Sequence, residues 1–280
     1  MAPIAGLPGY PPVVLGTMGI AEEDTVGAIH AAIALGYRAF DTAPVYFNEA
    51  AVGEAVRTAP VPRDALFLTT KLWNSCHGHD EALAAFDRTM QRLGLDYVDL
   101  YLIHWPVPTV DRFVETWRAL VRLRAEGRVK AIGVSNFLPE HLDRIIDATG
   151  VVPAVNQVEM HPAFPQAGLR AAHERLGIVT QAWSPLGHGT GLDDPALTGI
   201  AARHGKTPAQ VILRWLTQRG VVPVVKSRSP ARMAENLSAH GFDLSPEELA
   251  RIDAMDRGNS LFGLDPRTFE TMPRMAGLTP

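Results

Sequence analysis

The chain has 280 residues, 26 Lys and Arg against 30 Asp and Glu (formal net charge −4), and 46% hydrophobic residues. That balance offers no basic surface to displace phosphate counterions, so neither nucleic acid nor an anionic membrane is an expected partner. The single cysteine, Cys76, excludes an internal disulfide framework, and neither a secretory leader nor a run of the ~20 apolar residues that spans a membrane is visible, so a cytoplasmic globular protein is expected.

In chain order, the apolar run Val13-Val14-Leu15 leads into Gly16-Thr17-Met18, and a helix follows over 24–35, with Val26, Ile29 and Ile33 on one face and Gly36 as its stop. Arg38-Ala39-Phe40 ends at Asp41-Thr42, before a helix over 48–58. Leu66 to Thr70 ends at Lys71, and the helix over 80–93 stops at Gly94. Val98 to Ile103 ends at His104, before a helix over 111–126 that stops at Gly127. Ala131 to Val134 leads to Ser135-Asn136 and a helix over 138–148; Ala154-Val155 leads to Gln157 and a helix over 166–176. Ile178 to Trp183 ends at Ser184, before helices over 195–204 and 207–219, the second opened by the capping box Thr207-Pro208-Ala209-Gln210. Val221 to Val225 ends at Lys226, and two helices opened by Ser-Pro, at Ser229 and Ser245, complete the pattern.

Eight apolar runs, each followed by a polar or glycine-rich group and then a helix-length segment, give the layout of a closed (β/α)₈ barrel with its site on the C-terminal rim of the strands. Such barrels occupy roughly 250 residues, so residues 1–280 are read as a single domain. A doubly wound open sheet is the rival, but Leu15-Gly16-Thr17-Met18-Gly19 lacks the G-x-G-x-x-G turn that fold carries after its first strand.

Four rim groups carry the chemistry: Asp41, Tyr46, Lys71 and His104. A lysine at the end of a buried strand needs a counter-charge, and Asp41 on the neighbouring strand supplies one. A free phenol, with a pKa of about 10, is a weak proton donor at neutral pH. An ammonium about 4 Å away contributes up to roughly 4 kcal/mol at an effective dielectric of 20, enough to bring Tyr46 down by about two or three pH units. Tyr46 is then a general acid, with His104 orienting a carbonyl or relaying the proton.

A second constellation lies beyond the eighth run. Ser245-Pro246-Glu247-Glu248 puts acids in its first helical turn, as a helix N-terminus prefers, whereas Ser229-Pro230-Ala231-Arg232 follows Lys226, Ser227 and Arg228. Cations gathered at a positive helix end call for an anion between them, so this turn reads as a phosphate site. By contrast, His77-Gly78-His79-Asp80 lacks the further ligands of a tetrahedral shell, and no metal is expected.

Taken together, Asp41-Thr42-Ala43-Pro44-Val45-Tyr46, Thr70-Lys71-Leu72-Trp73-Asn74, Leu102-Ile103-His104-Trp105-Pro106, Gly133-Val134-Ser135-Asn136-Phe137, Asn156-Gln157-Val158-Glu159-Met160-His161-Pro162, Trp183-Ser184-Pro185-Leu186-Gly187 and Lys226-Ser227 with Arg232 and Glu235-Asn236 resemble the aldo-keto reductases, and bacterial diketogluconate reductases in particular. The resemblance covers nearly the whole chain. It implies NADPH-dependent reduction of an aldehyde or ketone on a barrel, with Tyr46 as proton donor, Lys71 and Asp41 behind it, and His104 placing the carbonyl oxygen. It further implies a cofactor site of Gly16, Thr17, Met18 and Asp41, with Ser135, Asn136 and Gln157 on the carboxamide. Trp183 would stack on the nicotinamide, and Ser184, Pro185, Leu186 and Gly187, with the turn after them, would cover the pyrophosphate. Lys226, Ser227, Arg228 and Arg232 would hold the 2′-phosphate, with Glu235 and Asn236 near adenine.

Trp183 stands where the family often has tyrosine or phenylalanine, and Met18 where many members have an aromatic residue. Phe47, Trp73, His104 and Trp105 are the candidate pocket walls, with Leu261 and Phe262 behind them. A short N-terminal segment before Val13 and a short tail after the last helix imply an abbreviated bottom plug and an open pocket. Nothing calls for association, so a monomer acting on a small carbonyl compound is expected. Two rival readings are a Schiff-base aldolase built on Lys71 and a non-catalytic module that only holds the cofactor.

Overall fold

The structure, a computed structural model, describes residues 11–258 and 260–270. Eight parallel strands close into a barrel in chain order: β1 (Val14–Gly16), β2 (Ala39–Asp41), β3 (Phe67–Leu72), β4 (Val98–Ile103), β5 (Val129–Ser135), β6 (Val155–Glu159), β7 (Val179–Trp183) and β8 (Val222–Val225). Closure is carried by β1, where Leu15 pairs with Phe40 on one side and with Val225 on the other. The (β/α)₈ barrel expected from the sequence is therefore the fold.

Ten helices surround the barrel among the described residues: α1 (Glu22–Leu35), α2 (Glu49–Arg57), α3 (His79–Leu93), α4 (Phe113–Ala125), α5 (Pro139–Thr149), α6 (Ala167–Leu176), α7 (Pro195–His204), α8 (Pro208–Gln218), α9 (Pro230–Leu237) and α10 (Pro246–Asp253). Both β7 and β8 are followed by two helices. The Thr207 and Ser245 capping boxes form as the sequence predicts, each pairing a hydroxyl and a side chain three residues on with the orphan N–H groups of the first turn. The helix expected from 111 begins only at Phe113, because Asp111 is left-handed (φ 55) and pairs with Arg144.

Two apolar layers arise from the two periods of the sequence. The helical faces and the outward strand residues make the larger core, around the fully buried Trp117 and Trp215. Alternate strand residues fill the barrel interior with Val14, Ala39, Leu100, Leu102, Ala131, Val155 and Val224. Gly133 belongs to this inner file, where a Cβ would lie 2.6 Å from the Val155 carbonyl oxygen and 2.8 Å from Leu102. The close approach of β4, β5 and β6 at this level requires that glycine.

Candidate active site

The same two-residue period that fills the barrel delivers the polar groups to its mouth. Asp41 is two residues past Ala39, His104 two past Leu102, Gln157 two past Val155 and Lys226 two past Val224, each preceding residue belonging to the apolar interior. Lys71 and Gln157 lie inside β3 and β6 rather than beyond them, because both strands run further than their apolar runs.

Lys71 is fully buried, and its three N–H groups are all committed. They donate to Asp41 Oδ1 (2.5 Å), the Thr42 carbonyl oxygen (3.0 Å) and the Tyr46 hydroxyl (3.2 Å). Burial works against the ammonium, but Asp41 and then Tyr46 outweigh it and hold the Lys71 pKa above its ordinary value. A lysine so charged and enclosed is no imine-forming nucleophile, which counts against the aldolase reading.

Tyr46 ends a short 3₁₀ turn, Pro44–Tyr46, that the left-handed Phe47 (φ 56) closes. Since its oxygen accepts from Lys71, its own proton is free to be given elsewhere. The resting phenol does not have the expected acidity. Burial pushes it above its ordinary value, Lys71 pulls against this, and Asp41 pushes it up again. A lone ammonium would lower it, but Asp41 neutralises that charge and burial desolvates the phenolate. Across the mouth, the His104 ring meets Tyr46 edge-on at 6.1 Å and Trp73 at 5.1 Å. Burial and the charge of Lys71 hold its pKa well below the ordinary histidine value, so the imidazole is neutral at physiological pH. Its buried Nδ1 has no hydrogen-bond partner among the described residues.

Ser135, Asn136 and Gln157 meet as a connected set. The Ser135 hydroxyl donates to the Gln157 carbonyl oxygen (2.7 Å), and Gln157 Nε2 donates to Asp41 Oδ2 (2.8 Å) and Gln181 Oε1 (2.9 Å). Asn136 Nδ2 donates to the His104 carbonyl oxygen (3.0 Å) and to Ser135 Oγ, while its Oδ1 accepts from the Trp183 indole (2.8 Å). Their side-chain donors are therefore spent within the protein, and Gln157 Oε1 is the acceptor left without a partner among the described residues. Trp183 in place of a phenyl ring adds an N–H that fixes the ring to Asn136.

At β1, Thr17 turns inward to the Asp41 carbonyl oxygen and Asn48, leaving Met18 exposed beside Gly16. Asn48 also accepts from Thr42 and donates to the Thr17 carbonyl oxygen, stitching the loops of β1 and β2. The segment Ser184, Pro185, Leu186, Gly187 and onward to Gly191 is a succession of tight turns in which Ser184 (φ 49) and His188 (φ 54) are left-handed without being glycine. Such strain at non-glycine residues is a mark of functional loops.

Around the start of α9, Arg228 pairs with Asp24 (2.8 Å) and Ser227 bonds within the turn to Ser229. Lys226 and Arg232 are exposed and have no carboxylate partner among the described residues. These two cations at a helix N-terminus fit an anionic phosphate. Glu235 accepts from the Thr207 hydroxyl (2.5 Å), and Asn236 is buried against Tyr37 on the same helix, α9.

The pocket is not open as expected. The tail beyond α10 crosses the mouth, stacking Phe269 on Trp105 (4.1 Å) and bringing Phe262 to 5.8 Å from Trp183, with Asn74 Nδ2 donating to the Glu270 carbonyl oxygen at 2.6 Å. Trp73 and Trp105 are buried in this apolar group, whereas Phe47, Leu261 and Phe262 stay exposed. A cavity of about 400 Å³ lies beneath the tail, walled by Trp105, Asn136, Glu159 and Trp183. The expectation about the N-terminal segment falls largely outside the described residues. In the His77-Gly78-His79-Asp80 stretch, His77 is buried and held down to a pKa of about 4 by desolvation, while His79 turns to Asp80. No group of three metal-ligating side chains forms among the described residues, and no described helix is long and apolar enough to cross a membrane.

A barrel with a Tyr–Lys–Asp cluster facing a neutral histidine at its C-terminal mouth defines an oxidoreductase-type site rather than an imine-forming one. Residues 12–257 match the sequence model of the Aldo/keto reductase family. An aldo-keto reductase of Mycolicibacterium smegmatis is 53% identical over 92% of this chain and 94% of its own length. Methylglyoxal reductase DkgA of Escherichia coli O157:H7 is 44% identical over 92% of this chain and 94% of its own. A crystal structure of a Gox0644 mutant in complex with NADPH superposes with a TM-score of 0.89 at 46% identity, covering 94% of this chain and 95% of that one. The chain belongs to the Aldo/keto reductase family.

Proposed function

We propose that the chain reduces an aldehyde or ketone to the alcohol with NADPH, Tyr46 giving the proton. The observation that carries the reading is the Tyr46 hydroxyl 3.2 Å from a fully buried Lys71 Nζ that Asp41 neutralises, opposite a neutral His104. NADPH, which the similar Gox0644 structure holds, would supply the hydride. Lys226 and Arg232 would take its 2′-phosphate, Trp183 its nicotinamide face and Gln157 Oε1 its carboxamide.

The chain's own part begins with placing the carbonyl oxygen between the Tyr46 O–H and the His104 ring. As the proton leaves Tyr46, negative charge grows on an oxygen already accepting from an ammonium. That hydrogen bond strengthens as charge develops, which lowers the barrier even though the resting phenol is not acidic. Asp41 keeps Lys71 charged at its buried position, and Gln157 keeps Asp41 in place. His104, neutral, orients the carbonyl without competing as an acid.

A panel of aldehydes and ketones followed through loss of NADPH absorbance tests this. Turnover of several carbonyl compounds is expected. NADPH binding without turnover on any of them would leave only the cofactor-holding module.

A further inference from the structure

We infer that His173 is a positioning residue for the cofactor site: from outside the barrel it orients Asn156, and through Asn156 the left-handed turn at Asn136 that fixes the Trp183 ring. The inference rests on the carbonyl-reductase reading for the cofactor, and on the buried contacts of His173 and Asn156 for its geometry.

Asn156 in β6 and Thr180 in β7 are register partners. Each precedes a glutamine of the barrel interior, Gln157 and Gln181, which bond to one another, so Asn156 and Thr180 point outward to the helical layer. His173 of α6 meets both of them there, and all three side chains are buried. Its Nε2 lies 2.9 Å from Asn156 Nδ2, and its Nδ1 2.9 Å from the Thr180 hydroxyl.

Asn156 commits the rest of its amide to a single residue. Its Oδ1 accepts from the Phe137 N–H (3.4 Å), and its Nδ2 donates to the Phe137 carbonyl oxygen (2.8 Å). That pair of bonds fixes which end of the amide is which, so the second N–H of Nδ2 must be given to His173. The bare nitrogen of the imidazole is therefore Nε2, and Nδ1 carries the proton and donates it to Thr180. Burial lowers the His173 pKa to about 4 and keeps the ring in the neutral form that this arrangement needs.

Phe137 directly follows Asn136, which is left-handed (φ 62) without being glycine and whose Oδ1 holds the Trp183 indole. Such a backbone persists only where its surroundings hold it firmly. On one side the Asn136 N–H donates to the Gln157 carbonyl oxygen (2.9 Å); on the other the Asn156 amide grips Phe137. Without an acceptor at His173, one buried N–H of Asn156 is unpaired and the amide loses the constraint that points it at Phe137.

His173→Phe keeps a ring but removes both nitrogens, whereas His173→Gln restores an acceptor for Asn156. The NADPH dissociation constant, read from quenching of tryptophan fluorescence, is expected to rise about tenfold in His173→Phe, the scale of one unpaired buried donor. In His173→Gln it should stay within about threefold of the wild type; a role in apolar packing alone predicts the reverse order. Hydrogen exchange in His173→Phe should quicken at Phe137 and stay slow in β6 and β7. In the wild-type protein, where no variant has to fold, a long-range ¹H–¹⁵N spectrum should show the His173 ring protonated at Nδ1 and bare at Nε2. The opposite tautomer overturns the inference, as does wild-type NADPH affinity in His173→Phe or a His173→Gln protein that binds NADPH no better than His173→Phe. If the wild type binds no NADPH, the functional reading falls; the tautomer and the exchange at Phe137 then decide the His173 anchor by themselves.

Discussion

Lys71→Met probes the cluster where its parts oppose one another. The substitution removes a fully buried ammonium and the three bonds it donates, leaving Asp41, 2% exposed, with Gln157 Nε2 as its remaining side-chain donor. Breaking a buried pair by deleting one partner costs about 3–5 kcal/mol, so the urea midpoint should fall markedly while the slope stays constant. In catalysis, the loss is the bond to Tyr46 at 3.2 Å. A bond from a charged donor contributes about 1.5–3 kcal/mol, which corresponds to a kcat lower by about ten- to a hundredfold. The bare charge at that distance would give about 5 kcal/mol at an effective dielectric of 20, but Asp41 cancels part of it. The assay is steady-state reduction of an aldehyde, with NADPH affinity measured separately by fluorescence quenching. Adding Tyr46→Phe should cost little more than Tyr46→Phe alone, because the two residues act through one bond. A folded Lys71→Met enzyme within about threefold of the wild-type kcat would refute the reasoning, since the bond would then contribute less than about 1 kcal/mol.

Arg232→Ala should weaken NADPH binding about tenfold or more and leave NADH unaffected, as expected for one charged contact to the 2′-phosphate; equal weakening of both would remove that assignment. Asn136→Ala leaves the Trp183 indole N–H without its acceptor and the His104 carbonyl oxygen without its donor. NADPH affinity should drop about tenfold, and unchanged affinity would show that the tie is idle. Acid should destabilise the fold through His77 and His173, both held down to a pKa of about 4 by burial. With an unfolded value near 6.5, each contributes about 3 kcal/mol that is present above pH 6.5, lost as pH falls towards 4, and constant below. Unfolding free energies that stay flat from pH 6.5 to 4 would contradict this.

The barrel was legible because strand and helix periods alternate cleanly and because glycine stops such as Gly36 and Gly94 mark helix ends. Asp41, Lys71, His104 and Gln157 were legible for a related reason: each continues the inner file of its strand, and position in that file is a property of local sequence. The rest depends on contacts between distant segments. Nothing near Glu159 announces that Ser260 and Leu261 will reach it, and nothing near Trp105 announces Phe269. Asn48 is hidden likewise, since its partners come from two different loops. The direction of the Tyr46 shift is not legible locally, because it sums burial with the opposed charges of Lys71 and Asp41. The contacts of Glu235 with Thr207 and of Asn236 with Tyr37 are likewise set by the docking of α9 against α8 and α1.

The most direct measurement of the central claim is the kcat of Tyr46→Phe on a carbonyl compound the wild type reduces, with NADPH affinity determined on the same protein. Removal of one hydroxyl should lower kcat by about 10²–10⁴-fold, the usual contribution of a positioned general acid, and leave affinity within about twofold. A Tyr46→Phe enzyme that turns over at the wild-type rate would show that the proton comes from elsewhere.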